Sequence, residues 1–488
     1  MSEYYLDSRE GCDNADGLTP QTAWRSLTRA GKHLFAPGDR LLLRRGCVWT
    51  GETLSPQGSG EPEAPILIDA YGEGTRPLID RRGRADHVEN GTAALTLYNQ
   101  SYWEIRRIAL SNRNPDGSGR AEDPVVLEDG SCRFPRRSGL SIDAHWTEGT
   151  GCVTIRGIVV EDVEVRDIEG SNGDEGNCYR WDITDNRYRG SSGGCAIGVG
   201  CTDSPDGRWR ARTEDVRIEN CRVHNCSGTC LSLGSSAWKY HDSHRRAVLR
   251  GNRITCDEGV ERSPAGAYIV SAEEPLVEEN HFHNLSNGVA FQVCRGGVCR
   301  RNIADTMHGR MVLCSRLTGR PMYWDGTGYD VDSACRGVFH LTGNVAARCA
   351  AGSFSIFDLA EGGEADIRVE NNLSFDSEHF FYHQLFYHGY RMTFRGNTVV
   401  RGPARRRERP EKAEDARLFT TLHETPVRGT YRFEGNVFLY RGQRVEWDTS
   451  GAVQYADNYY EGLGETLPAG VTRRKEAPLY AENQPDGF

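Results

Sequence analysis

The sequence predicts an all-β, right-handed parallel β-helix, with an N-terminal cap containing one short helix. Three observations lead there. Short strand-like runs end, again and again, near an asparagine. Glycine is in excess, 56 of 488 residues, where a globular domain usually has ~7%. Long helical periodicity is nearly absent.

The elements follow in chain order. The best helical stretch is Thr22 to Phe35, with Trp24, Leu27, Leu34 and Phe35 apolar. Gly31 weakens it and Pro37-Gly38-Asp39 ends it. Strands are expected at Arg40 to Arg45, Ile66 to Tyr71 and Pro77 to Asp80. Residues 1–94 read as a cap and first coils, 95–460 as the β-helix catalytic domain, and 461–488 as a C-terminal tail or cap.

Within the long central part the asparagines are Asn220, Asn252, Asn280, Asn302, Asn344, Asn372, Asn397, Asn436 and Asn458. They are 32, 28, 22, 42, 28, 25, 39 and 22 residues apart. The shortest interval fits one bare coil, and longer ones fit a coil plus an insertion. Each coil then covers its neighbour's apolar face. Asparagine tolerates the left-handed backbone of a sharp turn, and its amide can bond the next coil's asparagine. Insertions are expected at 171–192, 202–213, 236–246, 318–328 and 403–417.

Composition narrows the function. Hydrophobic residues make up 37% and aromatics 9%, enough for a large core. A net charge of −10 argues against nucleic acid as partner. No apolar run approaches the ~18 residues of a membrane helix, so no membrane partner is expected. The 16 cysteines form no Cys-x-x-Cys pair and read as buried free thiols. With no leader in the sequence, a cytoplasmic location is expected, or a secreted one if a leader has been removed. No cofactor and no metal are expected; His241-Asp242-Ser243-His244 lacks a third ligand.

The densest candidate for chemistry is Met322-Tyr323-Trp324-Asp325-Gly326-Thr327-Gly328-Tyr329-Asp330-Val331-Asp332-Ser333. On a strand Asp330 and Asp332 share a face, with Val331 turned inward. Asp325, seven residues before Asp332, lies across a glycine-containing loop able to fold back. Trp324 and Tyr329 offer flat faces for a sugar ring. Two carboxylates beside one sugar bond are the minimal kit for glycoside hydrolysis: one protonates the leaving oxygen, the other attacks the anomeric carbon or activates water. Asp358, Gln292 and His308 are further candidates for holding substrate, as is Asp330. The aromatic run Phe380 to His388 is expected to be half core.

At this point the sequence resembles right-handed parallel β-helix carbohydrate-active proteins. The likeness lies in Tyr4-Tyr5-Leu6-Asp7, Asp13 to Pro20, Ala23-Trp24, Pro37-Gly38-Asp39, Gly46 and Trp49, then Gly58-Ser59-Gly60, Pro65-Ile66 and Ala70-Tyr71-Gly72. The aspartates seven apart look like the catalytic pair of glycoside hydrolase family 136, the lacto-N-biosidases. The resemblance implies a retaining hydrolase acting on an oligosaccharide or glycan, with Asp325 as general acid/base and Asp332 as nucleophile, and release of a disaccharide such as lacto-N-biose. Asp330 offers a competing spacing. Two other readings stand beside this one: a polysaccharide lyase acting on uronate chains, and a non-catalytic glycan-binding fibre. Only four lysines, Lys32, Lys239, Lys412 and Lys475, leave a lyase few bases, although Arg310 or Arg316 would serve. A partner subunit or a homo-oligomer stays open.

Overall fold

The computed structural model describes residues 1–82, 92–113, 125–126, 132–133, 137–149, 151–169, 180–182, 187–189, 195–226, 228–235, 240–257, 265–308, 310–312, 322–324, 326–358, 364–385, 390–402, 416–417, 419–421, 430–447, 451, 453–463 and 466–473. Its strands stack into three long sheets, one pass through each per coil. The first has 16 strands, running from Glu3–Leu6 to Val453–Ala456. The second has 15, from Val48–Thr50 to Val471–Arg473. The third has 10, from Thr92–Tyr98 to Phe419–Thr421. Neighbours in these ladders pair in parallel, for example Asn287–Gln292 with Thr327–Asp332 and the latter with Gly352–Asp358. This is a parallel β-helix.

Alternation along each strand builds the core. Ile142, Val199, Leu233, Ile269, Phe291, Val331 and Ile356 occupy one register row of the third sheet. All seven are buried. Stacking such rows removes apolar surface from water on every coil, at roughly 25 cal/mol per Å².

The asparagine ladder turns the corner between the first and second sheets. Asn252 donates from its backbone and side-chain nitrogens to Oδ1 of Asn280 at 3.0 and 2.9 Å. The same double bond repeats from Asn280 to Asn302, Asn344, Asn372, Asn397, Asn436 and Asn458 in turn. Two details differ from expectation. The left-handed residue is the one before the ladder asparagine: Gly251, Glu279, Arg301, Gly343, Asn371, Gly396, Gly435 and Asp457 all have φ between 53° and 65°. Asn220 sits at that left-handed position, with φ 54°, and Cys221 takes the ladder place, its N–H donating to Asn252 Oδ1.

The N-terminal helix is shorter than periodicity suggested. A 3-10 turn covers Pro20–Thr22 and an α-helix only Leu27–Gly31. Between them Trp24 is extended and bridges Leu6, and past the helix Leu34 bridges Gln57. The apolar residues are spaced for a helix, but sheet pairing claims both flanks. Ser26 caps the short helix by accepting from Arg29 N–H.

Of the five expected insertions, 202–213 is wholly described and spans the link from Thr202 in the third sheet to Ala211 in the first. Parts of the other four, including 171–179, 236–239, 318–321 and 403–415, lie outside the described residues.

Candidate active site

Thr327–Asp332 lies mid-way along the solenoid in the third sheet. Tyr329 and Val331 point into the core, while Asp330 and Asp332 point out from the same face, each 8% exposed. Asp332 accepts from Gln292 Nε2 at 3.2 Å, across from the neighbouring strand. Its other oxygen accepts from the Ser333 N–H at 2.5 Å and the Ser333 hydroxyl at 2.9 Å. Asp330 accepts from Ser355 Oγ at 2.8 Å, one coil further on. Such bonds fix the carboxylates in direction as well as position.

A second link runs the other way. The Tyr268 hydroxyl donates to Gln292 Oε1, so Tyr268, Gln292 and Asp332 form one hydrogen-bonded chain over three adjacent strands. Between Tyr268 and Asp330 in the register row stands Ala290. Ala290 is itself buried, with a tyrosine on one side and a carboxylate on the other.

The other sequence-derived candidates are placed as follows. Gln292 joins Asp332 directly. His308 is exposed and follows Ile303–Met307, its N–H bonded to Leu285 O at the corner leading into Asn287–Gln292. Trp324 ends a strand paired antiparallel with Arg310–Val312, and Asp358 ends Gly352–Asp358, the next strand of the sheet; both are placed here by backbone alone. Asp325 lies outside the described residues.

Tyr329 must be corrected. It is fully buried and stacks on Phe354, with ring centroids 5.4 Å apart. Its hydroxyl is 2.9 Å from the carbonyl oxygens of Asn302 and Val345, and burial pushes it well above the usual phenol range. It is a core residue and offers no face to a sugar. Phe380 and Phe381 of the aromatic run are likewise core; residues 386–388 of that run are outside the described part.

The His241–His244 cluster is structural. His244 is fully buried between Thr213 Oγ1, 2.8 Å from its Nδ1, and Gly234 O, 2.9 Å from its Nε2. Asp242 pairs with Arg210, Arg212 and Arg245. Among the described residues no group of His, Cys, Asp and Glu is placed to hold a metal ion.

Tyr268 and Ser355 went unread in the sequence. Tyr268 sits in the outward position of Gly-Ala-Tyr-Ile-Val, where alternation alone would mark it. Its closeness to the aspartates depends on coil lengths that insertions obscure.

No family model matches the sequence, and no curated protein matches it. Solved structures do match. A selenomethionine crystal structure of a glycoside hydrolase family 136 lacto-N-biosidase from Eubacterium ramulus has TM-score 0.64 and 19% identity, over 90% of this chain and 68% of that one. The chain shares its fold with that enzyme. The native form of the same protein gives TM-score 0.59 at 18% identity, over 88% and 68%. A hyperthermoactive exopolygalacturonase from Thermotoga maritima gives 0.50 at 12%, over 89% and 91%. The expected resemblance to β-helix carbohydrate-active enzymes is thus found in the fold. Among the described residues no helix is long and apolar enough to cross a membrane.

Proposed function

We propose that the chain is a glycoside hydrolase acting on an oligosaccharide or glycan laid across the outer face of the third sheet. The observation that carries this reading is the pair Asp330 and Asp332, outward on one strand and each held by a neighbouring strand. Asp332 is the nucleophile of a retaining reaction, attacking the anomeric carbon to form a glycosyl-enzyme ester. Asp325 protonates the leaving oxygen and then activates water. Asp330 is the competing partner for that acid/base role. Gln292 keeps Asp332 aimed, and Tyr268 keeps Gln292 aimed. Trp324, Asp358 and His308 bind substrate in this reading. The fold shared with a lacto-N-biosidase makes release of a disaccharide such as lacto-N-biose the first activity to test.

Among the described strand residues of the third sheet there is no lysine, and the one arginine, Arg137, is fully buried, donates to Asn112 Oδ1 and the Arg113 carbonyl, and lies five strands from Asp332. That supports hydrolysis of a neutral glycan over elimination on a uronate, which requires positive charge or a metal ion beside the sugar carboxylate. Incubation with lacto-N-tetraose, aryl glycosides and uronate polymers separates the two chemistries. New reducing ends formed without any unsaturated product support the hydrolase, whereas an unsaturated product from a uronate polymer overturns it.

A further inference from the structure

Five strands away from Thr327–Asp332, the outer face of the third sheet carries a second group of sugar-compatible side chains. Tyr98 opposes Asp143 in register, and His145 lies two residues on, so all three share that face. The rings of Tyr98 and His145 are 5.9 Å apart at 30°, and those of His145 and Trp146 are 6.2 Å apart at 21°. Tyr98 is 44% exposed. The row is braced from behind: Asn99 Nδ2 donates to His145 O at 2.9 Å, and His145 N–H donates to Asn99 Oδ1 at 2.7 Å.

Asp143 stands beside these rings, receiving a hydrogen bond from Ser141 Oγ at 2.6 Å. Desolvation by burial raises its pKa. The next strand keeps a glycine opposite it. A Cβ at Gly200 would lie 2.8 Å from Asp143 Oδ1, so a side chain there would displace the carboxylate. From Asp143 to Asp332 the same register row passes through Gly200, Gly234, Val270 and Gln292. The two glycines leave that row without side chains next to Asp143, while Val270 and Gln292, both buried, fill it next to Asp332.

We infer that Tyr98, Asp143, His145 and Trp146 form a distal subsite for the same neutral glycan chain whose cleavage is proposed at Asp332. Five strand spacings of ~4.8 Å separate the two places by roughly 24 Å. That separation is several times the length of one pyranose ring, so the substrate spans several sugars. Near-parallel rings, exposed at Tyr98 and half-buried at His145 and Trp146, pack on the apolar face of a pyranose, and Asp143 accepts from its hydroxyls. Carboxylates at both ends of the row disfavour a uronate chain.

The inference rests on the proposed glycan-binding face, but its test does not require turnover. Full-length Asp332→Asn protein is titrated calorimetrically with xylo-, cello-, manno- and N-acetyllactosamine oligosaccharides of two to eight sugars, with and without Trp146→Ala or Tyr98→Ala. Thermal melting confirms that each variant is folded. For at least one series, affinity is expected to rise about tenfold between short and long members, and the rise is expected to shrink to less than about twofold in both ring variants. An equal rise in the ring variants, a parent affinity independent of length, or binding of none of the four series overturns the inference. If the length-dependent binding appears while the parent protein hydrolyses no glycan, the distal subsite stands and the hydrolase reading falls.

Discussion

Gln292 Nε2 and Asp332 Oδ2 lie 3.2 Å apart, although 40 residues separate them in the chain. The contact exists because parallel stacking places Asn287–Gln292 beside Thr327–Asp332. Under the proposed mechanism, Gln292 is a positioning residue for Asp332. Gln292→Leu is expected to lower kcat and kcat/KM together by about 10- to 100-fold, as a misaimed reacting group does. Steady-state kinetics check this; a change in KM alone would show that Gln292 binds substrate without orienting the carboxylate.

Tyr329 tests the boundary between core and site. Tyr329→Phe keeps the packing on Phe354 and loses only the hydroxyl contacts, so it is expected to cost about 1 kcal/mol of stability. Tyr329→Ala opens a cavity and is expected to cost about 3–5 kcal/mol. Urea unfolding followed by circular dichroism measures both. A Tyr329→Phe protein of unchanged stability but raised KM would return this residue to the groove.

The asparagine ladder makes a sharper demand. Asn302→Ala removes the acceptor for two donors of Asn280 and the donor to Asn344. Leaving such buried groups unpaired is expected to cost about 1–3 kcal/mol each. The same change at Asn458, next to the end of the stack, is expected to cost less. Equal unfolding midpoints for the two variants would argue against a cooperative ladder.

His244 sets a pH dependence. Burial lowers its pKa from 6.5 to about 4. The unfolded chain therefore binds the proton more readily, and stability is lost as pH falls from about 6.5 towards 4. The linkage amounts to about 3 kcal/mol over that window. His244→Gln is expected to flatten this part of the stability curve, measured by urea midpoints at pH 7 and 4.5. Parallel curves for parent and variant would contradict the assignment.

Much of the fold was legible because its signals are local. The asparagine at each corner must meet its neighbour's amide, so the residue type recurs wherever a coil turns. The outward pair Asp330 and Asp332 was readable from two-residue alternation. The same alternation places Tyr329 with Val331 on the inner side, yet its aromatic character suggested a sugar platform. Insertions hid the partners: Ser355 is 25 residues from Asp330, and Gln292 is 40 from Asp332. The helix expected from Thr22 to Phe35 failed because strand bridges at Trp24 and Leu34 outweigh a weak periodicity.

In the proposed reaction, Asp332 performs hydrolysis on the outer face of the third sheet. Its most direct test is proton NMR of the first-formed product from lacto-N-tetraose or an aryl glycoside, with parent and Asp332→Asn proteins side by side. A new reducing end of retained anomeric configuration is expected in the parent, with a loss of at least about 100-fold in the variant. Full activity in Asp332→Asn, or an unsaturated sugar at the new non-reducing end, would contradict it.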